Sequence, residues 1–104
     1  MRKIKFIYFI ILVNFFSFSA SADALFKKGR DVFLNIGMCG SCHTLSDAKS
    51  EGKIGPNLND LKPDTAKVIH AVKNGIGVMP SFDGILSKED IEAVAHYVST
   101  SSFK

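Results

Sequence analysis

Hydrophobic residues recur at three- and four-residue intervals in three parts of the chain, and each part predicts an α-helix. The first predicted helix runs from about Ala24 to Ile36, with Asp23 as its N-cap and Gly37 as its end. The second runs from about Asp64 to Lys73, and the third from about Lys88 to Val98. The apolar faces of the three helices consist of Leu25, Phe26, Val32, Phe33 and Ile36, then Val68, Ile69 and Val72, then Ile91, Val94, Ala95 and Val98.

The segments between these helices have no clear periodicity. Ser87 and Asp90 have the spacing of a capping box at the start of the third helix, and the chain after Val98 is predicted to fray. Two long irregular stretches, Leu45–Lys62 and Gly75–Leu86, are rich in glycine and proline, and loops of this length in a small domain suggest function. The pattern therefore predicts an all-α fold with three main helices, packed around something that the loops also wrap.

The N-terminal segment has a different composition from the rest. Basic residues at 2–5 precede an apolar run from Phe6 to Phe18, and small residues follow at 20–22. This pattern predicts a secretory signal peptide at residues 1–22, cut between Ala22 and Asp23, and a mature domain at 23–104. A retained membrane anchor is the alternative, but the run is shorter than the ~20 apolar residues of a spanning helix. We expect a periplasmic protein with no membrane contact after cleavage.

Charge and composition narrow the function further. The 104-residue chain has 13 basic and 10 acidic residues, a net charge of +3. Without the three basic residues of the leader, 13 − 3 leaves 10 basic against 10 acidic side chains, which argues against nucleic-acid binding. A domain this small is marginally stable by itself, so we expect a disulfide, a metal or a cofactor to stabilise its core. The large aromatic side chains after residue 22 are few: Phe26, Phe33, Phe82, Tyr97 and Phe103.

The two cysteines, Cys39 and Cys42, are followed directly by His43, and this cluster has four interpretations. A disulfide would close a very short loop and stabilise little. A thioredoxin-like pair needs a βαβ setting, which the pattern lacks. A zinc site needs four ligands, and His70 and His96 would complete only an unusual set. In an exported chain, Cys-x-x-Cys-His favours covalent attachment of haem c. A non-haem zinc or thiol-redox module remains the alternative.

A low-spin electron carrier would also need a second axial ligand for the iron, on the side opposite His43. The candidates are Met38, Met79, His70 and His96. Met38 adjoins the attachment motif and is confined to that side, and the two histidines lie on predicted helices. Met79 lies in an irregular loop directly before a proline, so it is the favoured ligand. Ligation by histidine and methionine leaves no open position on the iron and predicts electron transfer, not catalysis.

Three motifs together resemble the class I c-type cytochromes. Cys39–His43 matches the attachment motif, Gly55–Leu58 is similar to the family's Gly-Pro-x-Leu segment, and Asn74–Pro80 is similar to its distal-ligand loop. The resemblance covers nearly all of residues 23–104 and implies a small cytochrome c fold with long loops wrapped around one covalently attached haem c.

The resemblance also implies roles for single residues. Cys39 and Cys42 would hold the haem, His43 and Met79 would ligate the iron, and Leu58 would pack on the ring. It further implies that the carbonyl of Pro56 accepts a hydrogen bond from His43 Nδ1. Gly29 and Phe33 would cross the third helix near Tyr97. The groups that bind the haem propionates do not follow from the resemblance; Lys53 and backbone amides are candidates.

A narrower resemblance concerns the segments 44–64 and 74–82, which are similar to the haem subunit of periplasmic sulfite dehydrogenases. It implies a soluble one-electron carrier, or the haem subunit of a dehydrogenase, and not an enzyme by itself. The implied partners are redox proteins that donate and accept electrons. The implied assembly is a monomer or one subunit of a heterodimer.

Overall fold

The computed structural model describes residues 21–104, and residues 1–20 of the predicted signal peptide lie outside this range. Four helices follow one another: α1 over 21–31, extended by a π-helical turn Val32–Ile36, then α2 Leu58–Leu61, α3 Thr65–Asn74 and α4 Lys88–Ser101. Between residues 21 and 104, no helix combines the length and apolar character that a membrane span requires.

The predicted all-α architecture with three main helices is confirmed, and the first long loop contains additional short elements. A two-stranded antiparallel ladder pairs β1 (Thr44–Leu45) with β2 (Ser50–Glu51), so that Thr44 lies opposite Glu51. Short 3-10 turns cover Cys39–Ser41 and Ser46–Ala48. Strands of two residues are too short to produce a detectable alternation in the sequence, and for this reason the loop had no predicted strand.

The predicted ends of α3 and α4 are confirmed to within a few residues. The Asp64 carboxylate accepts a hydrogen bond from the Lys67 backbone N–H at 2.8 Å and thus caps α3. Ser87 and Asp90 form a reciprocal capping box, with distances of 3.1 and 3.3 Å between side-chain oxygen and backbone nitrogen. Each cap satisfies backbone donors that the first turn of a helix leaves unpaired.

Two details of the first predicted helix are wrong. Asp23 is not an N-cap, because residues 21 and 22 are already helical; it lies 3.6 Å from Lys27 in an exposed ion pair. Near the end of the helix, the Gly37 N–H donates to the Val32 carbonyl at 2.7 Å, five residues back. This π turn holds one residue more than an α turn. Ile36 is therefore rotated off the apolar face and is 50% exposed.

Helices α1 and α4 cross in close contact at Gly29. A Cβ atom at this position would lie 2.6 Å from Tyr97 Cβ and 2.8 Å from the Ala93 carbonyl carbon, so only glycine fits between the two backbones. Phe26 and Phe33 pack on either side of Tyr97, with ring centroids 4.9 and 5.8 Å away. Phe33 and Tyr97 are fully buried and form the largest side chains of the core.

The C-terminal residues are ordered against the domain, so the predicted fraying after Val98 is wrong. Helix α4 continues to Ser101, and Ser101 and Ser102 are buried. The Asn59 side-chain amide donates to the Ser102 carbonyl at 3.2 Å. Lys104 Nζ lies 4.7 Å from the centroid of the Phe26 ring and 3.8 Å from a carboxylate oxygen of Asp47.

Asp47 connects the first long loop to the helices. The Tyr97 hydroxyl donates to Asp47 Oδ2 at 2.6 Å, and Arg30 Nε lies 3.9 Å from the same oxygen. Burial and this hydrogen bond to a carboxylate raise the pKa of Tyr97 far above its ordinary value. The neutral phenol is therefore the form that the fold stabilises.

We expect Tyr97→Phe to lower the free energy of unfolding by about 2 kcal/mol at pH 7, because it removes a hydrogen bond to a charged acceptor. The difference in unfolding free energy between Tyr97→Phe and the wild type should persist below pH 10, the ordinary pKa of tyrosine. It should become smaller above pH 10. Above that pH the unfolded wild-type chain gains stability by ionising, whereas the phenylalanine variant does not. Urea denaturation between pH 7 and 11 measures both effects, with Glu92→Gln, exposed on α4, as control. Equal stability of Tyr97→Phe and the wild type at pH 7 would contradict the prediction.

Candidate functional site

The two cysteines and the adjacent histidine lie on one tight turn directly after α1. Met38 adopts a left-handed conformation with φ 51°, and the backbone N–H groups of Cys42 and His43 both donate to the Cys39 carbonyl, at 3.1 and 3.0 Å. Both thiols are free and partly buried. Burial raises the pKa of the Cys39 thiol to about 11, so that its neutral form is favoured at pH 7.

The imidazole of His43 is oriented by the segment around Pro56. Its Nδ1 lies 2.8 Å from the Pro56 carbonyl oxygen. Because a carbonyl can only accept, Nδ1 carries the proton and the Nε2 lone pair of the neutral ring remains available to a metal. The Gly55 N–H donates to the Cys42 carbonyl at 2.8 Å, which ties this segment to the cysteine turn. A Cβ atom on Gly55 would lie 2.5 Å from Cε1 of the ring.

An apolar cavity of about 550 Å³ opens beside this histidine. A second cavity of about 330 Å³ adjoins it, since Cys39, His43, Ile76 and Met79 line both. Cys42 lines the smaller cavity, whereas Pro56 and Leu58 line the larger one. Much of the larger cavity wall comes from aliphatic side chains of α3 and α4: Val68, Val72, Val94 and Val98. The six residues predicted for the site thus surround one continuous apolar space.

Met79 is held in this space by a loop that is fastened to the end of α3. Met79 and Ile76 exchange backbone hydrogen bonds of 2.9 and 3.1 Å, and Gly75 has φ 78°. The Ser81 hydroxyl donates to the Lys73 carbonyl at 2.5 Å, and the Phe82 N–H donates to the Val72 carbonyl at 2.8 Å. These contacts fix the backbone on both sides of Met79 and leave its thioether against the core.

The other ligand candidates are placed less favourably for the larger cavity. Met38 is 62% exposed and lines only the smaller cavity, on the attachment side. His96 lies outside both cavities, with its ring edge-on to Phe26 at 6.5 Å. His70 does line the larger cavity, but its Nδ1 already accepts a hydrogen bond of 3.1 Å from the Asn74 amide.

The sequence analysis missed two charged residues of the cavity wall, Asp64 and Lys67. Lys67 lines the larger cavity from α3, whereas Lys53, the side chain suggested for the propionates, lines neither of the two cavities. The sequence feature that could have identified Lys67 is its three-residue spacing from His70, which places both side chains on one face of a helix.

Comparison with known proteins gives matches over most of the chain. Residues 24–98 match the family described as "Cytochrome C oxidase, cbb3-type, subunit III". The cytochrome c6 of Gracilaria tenuistipitata var. liui is 36% identical over 117 aligned positions, covering 96% of this chain and 95% of that protein. The cytochrome c6 of Microcystis aeruginosa is 39% identical over 64 positions, covering 58% and 79%.

The structure is also similar to a solved one, the c-type cytochrome SorU from Sinorhizobium meliloti. The TM-score is 0.75 at 50% sequence identity, and the match covers 79% of this chain and 95% of that one.

Proposed function

Because the chain belongs to the class I c-type cytochromes, electron carriers with covalently bound haem c, we propose that it is a periplasmic one-electron carrier in which His43 and Met79 ligate the haem iron. The fold is the small cytochrome c fold. A zinc or thiol-redox module, the alternative for the cysteine cluster, is not supported, since the relatives are cytochromes.

The residues around the cavity fit haem c. The space is lined mainly by aliphatic side chains, which suit the flat apolar ring, and the two thiols lie at one end of it. His43 and Met79 both line it, and the donor pair of imidazole nitrogen and thioether sulfur suits low-spin haem iron. When bound, haem c supplies an iron that takes up and releases one electron. Cys39 and Cys42 would hold it through thioether bonds, so that an exported protein cannot lose it by dilution.

The observation that carries the proposal is that His43 and Met79 line the same cavity from two separately fastened segments. The Pro56 carbonyl keeps the His43 ring in the tautomer that presents Nε2, and such a partner also raises ligand basicity. The loop hydrogen bonds around Met79 hold its sulfur without relying on the haem. If His43 and Met79 both bound the iron, they would leave no position for oxygen or substrate, which suits a protein that transfers electrons.

We expect Met79→Ala to abolish the weak near-infrared sulfur-to-iron band of the ferric protein, because the thioether is removed from the iron. Met38→Ala, at the other methionine beside the cysteine turn, is the matched control and should retain the band. An alkaline pyridine haemochrome spectrum checks that each variant carries haem c. Survival of the near-infrared band in Met79→Ala would rule Met79 out as the ligand.

We further propose that residues 1–22 are a signal peptide and that the mature domain covers 23–104. The basic, apolar and small-residue segments of the leader support this division. The intact mass of the protein recovered from the periplasmic fraction should correspond to a chain that begins at Asp23. Recovery of the full-length chain from the membrane fraction would instead indicate a retained anchor.

As an electron carrier, the protein exchanges electrons with redox partner proteins, and we propose a dehydrogenase such as sulfite dehydrogenase as the donor. Similarity of the segments 44–64 and 74–82 to the haem subunits of those enzymes supports this donor. Beside the cysteine end of the smaller cavity, Ile54 and Val78 are 71% and 85% exposed and offer an uncharged surface for transient docking. Addition of sulfite to a mixture with a sulfite dehydrogenase should reduce the haem rapidly; no reduction would exclude this donor.

A further inference from the structure

Apart from the attachment residues Cys39 and His43, the polar side chains that line the larger cavity lie along one side of α3. Asp64, Lys67 and His70 line the cavity there, at the N-cap and in the first two turns of the helix. These three residues line only the larger cavity, whereas Cys42 lines only the smaller one. The polar side of α3 and the second cysteine therefore line different parts of the combined space.

Lys67 brings an uncommitted positive charge to this part of the cavity. The ion pairs among residues 21–104 involve other side chains, and Lys67 Nζ has no carboxylate within 4.0 Å in that part of the chain. The nearby Asp64 carboxylate is engaged by the Lys67 backbone N–H at 2.8 Å, as the cap of α3. Lys67 lines the cavity and is nevertheless exposed, so its ammonium group can remain in contact with water.

His70 brings a hydrogen-bond donor to the same part of the cavity. The Asn74 side-chain amide donates to the His70 backbone carbonyl at 3.0 Å and to His70 Nδ1 at 3.1 Å. Because Nδ1 accepts, the neutral ring carries its proton on Nε2, which becomes a donor. Lys67 and His70 are three residues apart on α3 and therefore share one face of the helix.

The arrangement of substituents on haem indicates which groups Lys67 and His70 could bind. In protoporphyrin, the two vinyl groups that react with cysteines lie on one edge, and the two propionate carboxylates lie on the opposite edge. Attachment through Cys39 and Cys42 would therefore leave the carboxylates in need of polar partners away from the cysteines, and α3 supplies such side chains to the larger cavity. We propose that Lys67 and His70 bind the haem carboxylates, Lys67 by its ammonium charge and His70 by its Nε2–H. This inference rests on the proposed attachment through Cys39 and Cys42.

The positive charge of Lys67 has two consequences for the bound cofactor. A cation close to the haem favours the ferrous state, which carries one positive charge fewer than the ferric state, and so raises the midpoint potential. A cation also favours the ionised form of a carboxylate and so lowers its pKa. Other titratable side chains along this cavity are Asp64, His70, Cys39 and His43, and all four are unchanged by a substitution at Lys67.

The test compares Lys67→Gln with Lys73→Gln by redox titration of the haem-loaded protein between pH 5 and 9. Both lysines are exposed on α3 and both substitutions remove one charge, but Lys73 does not line the cavity. We expect Lys67→Gln to shift the midpoint potential downward and to move its pH dependence toward higher pH, as the carboxylates lose a cationic partner. Lys67→Arg should restore both properties, and Lys73→Gln should change neither markedly.

Two outcomes would overturn the inference. Equal shifts of the midpoint potential in Lys67→Gln and Lys73→Gln would mean that the lysine charge acts only at long range. An unchanged pH dependence of the potential in Lys67→Gln would mean that Lys67 does not contact a carboxylate. His70→Leu should likewise move the pH profile upward, because it removes the Nε2–H donor. Each variant must show the same pyridine haemochrome spectrum and near-infrared band as the wild type. If the wild type itself lacked the haemochrome spectrum, haem attachment would be wrong, and if it lacked the near-infrared band, methionine ligation would be wrong.

Discussion

Gly29→Val should destabilise the domain by about 3 kcal/mol or more, because it places a branched side chain where two helix backbones touch. The new Cβ would lie 2.6 Å from Tyr97 Cβ, with the Ala93 backbone equally close, and a backbone cannot move aside as a flexible side chain can. Helix α1 would have to move away from α4 and would lose the packing of Phe26 and Phe33 on Tyr97. A loss of this size is a large part of the 5–15 kcal/mol that stabilises a typical domain.

Urea denaturation of the haem-loaded protein measures this effect. Lys27→Val, at an exposed position of the same helix, is the control for the lower helix propensity of valine and should cost less than about 1 kcal/mol. If Gly29→Val and Lys27→Val unfold at similar urea concentrations, the helices do not cross as closely as the structure places them.

Gly55→Ala should displace the His43 ring and disturb its ligation of the iron. An alanine Cβ would lie 2.5 Å from Cε1 and 2.9 Å from Nδ1, so the ring has to tilt away from the Pro56 carbonyl. Loss of a partner that orients a metal-binding histidine typically lowers metal affinity about 10- to 100-fold. We therefore expect high-spin ferric haem in much of the purified protein, together with a lower yield of haem-loaded chain.

The spin state is read from the ferric absorption and electron paramagnetic resonance spectra. Gly84→Ala serves as the control, because a Cβ there meets no atom within 4 Å although its φ of 84° makes alanine about 1–2 kcal/mol less favourable. Gly84 lies outside the loop that holds Met79, so Gly84→Ala should stay low-spin, which separates ring displacement from general backbone strain. A fully low-spin Gly55→Ala would mean that the segment around Pro56 yields and does not control the ring.

The helices could be predicted from the sequence because their signals are local. The caps at Asp64 and Ser87 depend on residues three positions apart, and the apolar faces of α3 and α4 repeat within one helix. The ordered C-terminal residues could not be predicted in this way. They are held by Asn59 and Asp47, which lie more than forty residues earlier, and no local pattern reports a contact of that separation.

The site was predictable where spacing alone determines chemistry. Cys39, Cys42 and His43 are adjacent in the chain, and a methionine followed by proline in a loop is distinctive. The polar side of the cavity was not predictable, because nothing local distinguishes Lys67 from Lys53. Only the packing of α3 against the cavity places one of these lysines on its wall and the other outside it.

The π turn at Val32–Ile36 couples the length of α1 to the position of the cysteines that follow it. Deleting one residue from this turn would convert it to an ordinary α-helical turn and rotate everything beyond it by about 100° around the helix axis. Met38 and Cys39 would then face a different direction, although every residue of the attachment motif would still be present. Transfer of the attachment motif to another protein therefore requires transfer of the preceding helix as well, including the extra residue of its π turn.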